Sequence, residues 1–419
     1  MEVEVISKEI IKPSSPTPDH LRHYQLSFLD QLSPPVYNPL VLFYTLNGDS
    51  NPNNITQITN HLKTSLSKVL TLFYPLSGRL TDNLFVDCSA DHTGIPYFEA
   101  RVKCRLSDVI SNPIPGEINK LLPFELDDVS EYSLCVQLNI FECGGIGIGA
   151  CISHKLGDAL SYFVFIKSWA ATARGEADTV AAEFVSASLF PPKDTTGYDP
   201  SVGIVKKNIV SKRFVFDASA IETLRAKYEG KITRVEALSA FIWTRFVDAN
   251  KDQQGVAHKL YNVLHSVNLR PRFEPPLPEH SFGNLYWIAV TSPVKLGSGE
   301  ECYGLVRKVR DEIRKIDYEF VKTLQEEYQV HLEFMKEGRE RLMRDEVMTF
   351  AFTSLCRFPI YEADFGWGKP TWVGSPALTF QNLVVFMDTK SGDGIEAYIS
   401  LSKEHMAKLE ADEEFLAFV

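Results

Sequence analysis

The sequence has no C-x-x-C pair, and its seven cysteines, at 88, 104, 135, 143, 151, 302 and 356, are scattered and odd in number. That fits a reduced chain better than a disulfide framework or a zinc site. Its ten histidines show no metal-ligand spacing and H-E-x-x-H is missing, so no metal is expected. No run of about eighteen apolar residues occurs, so no membrane span is expected. The opening "MEVEVISKEI" lacks the basic-then-apolar layout of a secretory signal, and a cytoplasmic protein is expected. Without such a signal, the sequon at Asn54 carries little weight. Basic residues are in deficit, with 43 Lys and Arg against 54 Asp and Glu and a net charge of −11. Such a chain has no electrostatic footprint for nucleic acid and is repelled by anionic lipid. An anionic co-substrate would need a local basic site.

Several catalytic signatures are also missing. There is no P-loop and no G-x-S-x-G elbow. "GIGIGA" (145–150) fits a loose dinucleotide pattern, but a strand and a histidine follow it instead of a helix. "DFG" at 364–366 stands without H-R-D or a glycine-rich phosphate loop, which excludes a kinase.

What is present is a 419-residue chain of ordinary globular composition, 44% hydrophobic and 23% charged. That length is too great for one core, so two domains are expected. Leu62, Leu66, Val69, Leu70 and Phe73 recur at helical spacing in 61–80, ahead of Pro75 and Gly78. "NLFVDCSA" and "IPYFEARV" read as strands joined by the turn "DHTG". Strands follow at 133–142 and 146–153, then a largely apolar helix over 158–175 stopped by Gly175. Residues 187–210 are rich in Pro, Gly, Asp and Lys and read as a crossover linker. The domains are therefore expected at 1–186 and 211–419, with a segment near 350–382 packing against the first. Beyond the linker come a strand at 212–217, helices at 218–228 and 234–249, charged helices over 298–345 and a hairpin over 383–402. Strands and helices alternate throughout, which predicts an α/β fold with mixed sheets and flanking helices.

"ISHKLGDAL" (152–160) places His154 just past a strand and Asp158 at a helix start. One reading is a satisfied core histidine followed by a helix N-cap, a cap worth ~1 kcal/mol. The other is chemical. A strand-to-loop junction is where α/β enzymes place reactive groups. Gly157 leaves room for close approach, and a neutral imidazole suits a general base. Asp158 would either orient the ring or turn away to pair with an arginine.

H-x-x-x-D at 154–158 together with "DFGWGKP" at 364–370 resembles the plant BAHD acyltransferases. "LSFLDQL", "FYPLSGRL", "NLRPR", "FGN" and "SGDGIEA" match as well, so the resemblance covers essentially the whole chain. Within the family it is most similar to the branch of alkaloid and terpenoid O-acetyltransferases. It implies a chloramphenicol acetyltransferase-like fold with a tunnel between two domains, His154 as general base, and acetyl-CoA or another acyl-CoA as co-substrate. Asp158 would pair with Arg270, a contact whose loss costs on the order of 3–5 kcal/mol. Asp364 belongs to a motif often called catalytic; "DFGWG", with Gly366 and Trp367, itself reads as a packed structural turn. Thr233 and Arg234 match positions that contact the cofactor's phosphates, and a helix N-terminus suits a phosphate. Asn284 is an oxyanion candidate or an ordinary turn asparagine. One departure is Ala159, where many relatives have glycine.

The expected function is O-acetylation of a hydroxyl on an alkaloid or terpenoid, by a monomer with no permanent cofactor. An activated thioester needs only alignment, worth several kcal/mol, and a base giving roughly 10²–10⁴-fold. An acyl-Cys151 route is disfavoured because that side chain sits on a strand. The alternatives are N-acylation, a larger acyl donor, thioester hydrolysis, and a silent relative that binds a small molecule or a partner protein.

Overall fold

The computed structural model of the chain describes every residue except 47–51, 129, 177–180, 206–207, 229, 251–259 and 296–301. The chain forms two compact units. The first comprises Met1–Thr196, Pro278–Leu285 and Phe358–Ala377, and the second comprises Gly197–Leu277, Tyr286–Arg357 and Leu378–Val419.

The first unit is built on a six-stranded sheet in the spatial order Val3–Ile11, Ile95–Val102, Leu134–Phe141, Ile146–Ser153, Tyr37–Tyr44, Trp372–Gly374. Only the pairing of Ile95–Val102 with Leu134–Phe141 is parallel. Ile146–Ser153 lies between two neighbours and all eight of its residues are buried, as a central strand of mixed apolar and small residues should be. Helices Pro52–Leu72 and Ala159–Arg174 pack on each other, with Trp169 Nε1 donating to Ser65 Oγ at 3.1 Å. Leu62, Leu66, Val69, Leu70 and Phe73 are all fully buried, each contributing roughly 1.5–3 kcal/mol. The first of these helices starts well before residue 61, with Pro52 in its first turn.

The two strands read on either side of "DHTG" both form but do not pair with each other. Phe85–Asp87 pairs with His23–Gln25 and Arg79–Thr81 in a separate three-stranded sheet, while Ile95–Val102 joins the large one. Alternating polarity identifies a strand but carries no information about its partner.

The second unit holds the sheet Tyr286–Val290, Leu260–Asn268, Val347–Ser354, Leu383–Asp388, Ile395–Ser402, Ile209–Phe216, with Val294–Lys295 pairing beside Leu260–Asn268. Leu383–Asp388 and Ile395–Ser402 form the antiparallel hairpin read from the sequence. Helix Arg234–Asp248 buries Leu238, Ile242 and Phe246 in a core with Phe216, Val263, Phe350, Phe386 and Ile399. The charged segment folds as helices Cys302–Lys315, Tyr318–Glu326 and Tyr328–Met343; residues 298–301 of that expectation lie outside the described residues. Among the described residues no helix is long and apolar enough to cross a membrane.

Candidate active site

The strand Ile146–Ser153 ends one residue before His154, whose backbone N–H donates to Val36 O at 2.8 Å. A turn closes as Leu156 N–H reaches Ser153 O at 3.0 Å. Asp158 then caps helix Ala159–Arg174, accepting from Ser161 N–H at 2.9 Å. This cap satisfies a helix-end donor that would otherwise be orphaned. His154 is thereby held half-buried, at the mouth of a strand and one turn ahead of a helix.

A segment distant in sequence, Ser281–Leu285, is stitched onto this loop. Leu285 N–H donates to Asp158 Oδ2 at 3.2 Å and Asp158 N–H donates to Gly283 O at 3.3 Å. Ser161 Oγ meets both Gly283 N and Gly283 O at 3.0 Å. Gly283 has φ +135° and a side chain there would strike Ser186 at 2.6 Å, so the close approach requires glycine.

Asn284 makes the decisive contacts. Its Nδ2 donates to Asp30 Oδ1 at 2.8 Å and to the His154 carbonyl oxygen at 2.7 Å. The His154 carbonyl oxygen can only accept, which places the NH₂ on that side of the amide. Asn284 Oδ1 therefore faces His154 Nδ1, 3.0 Å away. The ring must donate from Nδ1, and in the neutral imidazole Nε2 then carries the basic lone pair. Burial lowers the His154 pKa below the ordinary 6.5, with the charge of Asp158 and the Asn284 bond opposing it.

Asn284, either an oxyanion candidate or a turn asparagine from the sequence, directs its donors within the protein. Its backbone N–H donates to Asp30 Oδ1 at 3.0 Å and both side-chain hydrogens have acceptors. The ring's Nδ1 is held by Asn284, and the two Asp158 oxygens accept backbone N–H groups.

The other expected residues fall as follows. At Gly157 a Cβ would press on Ser161 Cβ at 3.0 Å and on the Phe282 ring at 3.4 Å, so the space is taken by the protein's own packing. Ala159 is the first residue of the capped helix. Cys151 is fully buried and its thiol pKa is pushed up by burial, which removes the thiolate that an acyl carrier would need. Asp364 Oδ1 accepts from Gly366 N–H at 2.8 Å and Gly368 N–H at 2.9 Å, and Arg174 donates to the Asp364 carbonyl. Phe365 is fully buried, edge-on to Trp169 with ring centres 4.9 Å apart, and Trp367 stacks beside it.

In the second unit, Thr233 and Glu236 form a reciprocal capping box at the start of helix Arg234–Asp248. Arg234 reaches Asp388 Oδ1 at 2.8 Å and the Gly392 carbonyl at 3.0 Å, bracing the hairpin turn. Arg270 is buried and its Nη1 donates to Asn268 Oδ1 at 3.3 Å.

Sequence reasoning passed over Asp30. Its carboxylate is fully buried, and Oδ2 accepts from Ser27 N–H at 2.8 Å and Ser27 Oγ at 2.7 Å. The signal was present in "LSFLDQL", since Ser27-x-x-Asp30 is a capping-box spacing.

A model of the Transferase family matches residues 1–416. The chain belongs to the BAHD acyltransferase family. Stemmadenine O-acetyltransferase of Catharanthus roseus is 39% identical over 98% of this chain and 97% of that protein. Limonoid 21-O-acetyltransferase of Melia azedarach is 38% identical over 100% and 98%. The crystal structure of vinorine synthase superposes with a TM-score of 0.86 at 36% identity, covering 100% of this chain and 98% of that one. A Fusarium sporotrichioides TRI101 structure with coenzyme A and T-2, 20% identical at a TM-score of 0.69 and covering 94% and 98%, shares the fold. The BAHD member described here is an acyl-CoA-dependent acyltransferase of α/β fold.

Proposed function

We propose that this enzyme moves an acetyl group from acetyl-CoA to a hydroxyl of an alkaloid or terpenoid, with His154 as general base in a ternary complex. The observation that carries this reading is the Asn284 contact to Nδ1, which puts the basic lone pair of His154 on Nε2. The acceptor O–H gives its proton to Nε2 as the oxygen attacks the thioester carbonyl and the new C–O bond forms. The tetrahedral intermediate collapses, the C–S bond breaks, and the imidazolium returns the proton to the departing sulfur. Orientation and one positioned base suffice, because the thioester is already activated.

The remaining roles follow the family. Thr233 and Arg234 stand at the N-terminus of a 15-residue helix, which favours a phosphate of coenzyme A. Asp158 pairs with Arg270 and so supports geometry. The "DFGWG" segment around Asp364, Gly366 and Trp367 acts through packing. The enzyme works as a cytoplasmic monomer. The acetyl donor and the hydroxyl acceptor rest on the names of the relatives.

The test is product analysis by mass spectrometry. Purified protein is given acetyl-CoA and larger acyl-CoAs against hydroxylated alkaloids, terpenoids and amines. An O-acetylated product that vanishes in His154→Ala is expected. Amide products, or free acid formed equally with and without acceptor, would overturn the reading.

A further inference from the structure

We propose that Asp30 is a positioning residue for acyl transfer, which acts through Asn284 to set the tautomer of His154. This rests on the reading of His154 as the base. Asp30, Asn284 and His154 form a continuous chain of contacts: Asp30 Oδ1 to Asn284 Nδ2 at 2.8 Å, then Asn284 Oδ1 to His154 Nδ1 at 3.0 Å.

The carboxylate is equipped to hold its end of that chain. Asp30 is fully buried, and four protein donors replace its water: Ser27 N–H and Ser27 Oγ on Oδ2, Asn284 N–H and Asn284 Nδ2 on Oδ1. A buried carboxylate persists only with such a full donor set. Lys155 anchors the same short helix from the catalytic loop, its buried Nζ donating to Gln31 O at 2.9 Å.

An asparagine amide by itself has two orientations. Reversing this one would turn Asn284's carbonyl oxygen onto Asp30 Oδ1 and the His154 carbonyl, acceptor against acceptor, and turn NH₂ toward Nδ1. The ring would then keep its lone pair on Nδ1 and carry its proton on Nε2, where it could not serve as base. Burial raises the Asp30 pKa while its Ser27 and Asn284 bonds oppose that, and the reversal is disfavoured because Asp30 Oδ1 and the His154 carbonyl oxygen each take an amide hydrogen in the observed orientation.

The direct test is the ¹⁵N spectrum of the imidazole nitrogens in the intact enzyme, with His154 assigned by its loss in His154→Gln. The wild type is expected to carry its proton on Nδ1; a proton on Nε2 would overturn the proposal, whatever the variants do. Asp30→Asn is expected to give a mixture of tautomers. It should also lower kcat roughly 10- to 100-fold while leaving KM for acyl-CoA close to the wild-type value. An unmixed Nδ1–H tautomer with wild-type kcat in Asp30→Asn would equally overturn it. Ser27→Ala removes a bond to Asp30 and leaves those to Asn284. It should lower the melting temperature without mixing the tautomers; mixing there would assign the effect to general loosening. Full activity in His154→Ala would sink the base itself and leave the tautomer result standing, so the two failures are distinguishable.

Discussion

Asp158 and Leu285 are joined by a backbone N–H···carboxylate bond of 3.2 Å that spans 127 residues of sequence. The other Asp158 oxygen caps its own helix at Ser161. The motif aspartate thus ties two strands of the polypeptide together beside the histidine, and contacts no reacting atom through these bonds.

Asp158→Ala should therefore act on stability. Loss of the cap costs ~1 kcal/mol, and Leu285 N–H keeps its 3.0 Å bond to Gly283 O, so losing its bond to the carboxylate adds about 0.5–1.5 kcal/mol. Denaturant unfolding measures the total. The proposed Arg270 pairing is checked by a double-mutant cycle with Arg270→Ala. Coupling above about 0.5 kcal/mol is expected, and additivity within that margin excludes the pair.

His154→Ala should abolish transfer while the protein melts at close to the wild-type temperature. In the wild type, burial holds the ring pKa below 6.5. A base works only unprotonated, so kcat/KM should be level above that pH and fall on acidification, with its acid limb centred below 6.5. A limb centred above 6.5 would mean another group controls the rate.

For Asp364→Ala the expected effect is again on folding. Its carboxylate collects the N–H groups of Gly366 and Gly368, whose φ values are +106° and +102°. Removing it should lower the melting temperature by an amount equivalent to about 1–3 kcal/mol, while folded enzyme keeps its kcat. Gly366→Ala should do the same through backbone strain. A folded Asp364→Ala protein that has lost turnover would place the residue in the chemistry.

The second unit contains an acid-sensitive point. His265 is buried, stacked on Phe352 at 5.0 Å, and its Nε2 has no hydrogen-bond partner among the described residues. Burial lowers its pKa to about 4. The folded state prefers the neutral ring, so its stabilising contribution is complete above about pH 6.5 and is lost as pH falls toward 4. The difference amounts to about 3 kcal/mol. His265→Phe should flatten melting temperature against pH in that window; an unchanged slope would rule this out.

Much of the fold was legible because it is written locally. The strand into His154, the cap at Asp158 and the helix stop at Gly175 all follow from patterns shorter than twenty residues. The partners of Phe85–Asp87 were illegible, since a period of two does not name a neighbour. The same limit hid Asp30. "LSFLDQL" shows a capping box, but the carboxylate's second edge is used 254 residues away by Asn284. From sequence Asn284 is an oxyanion candidate or a turn asparagine alike, because its acceptors, Asp30 and the His154 carbonyl, are contributed by folding.

The octapeptide Pro278–Leu285 belongs to the first unit although both its sequence neighbours belong to the second. The surroundings of His154 are thus finished by a loan from downstream. Polypeptide made only as far as Thr196 has the imidazole but not the amide bonded to it, and swapping front halves between relatives pairs one parent's imidazole with the other parent's amide. A chimera that keeps the contacts to His154 must therefore take Pro278–Leu285 from the same parent as residues 1–196.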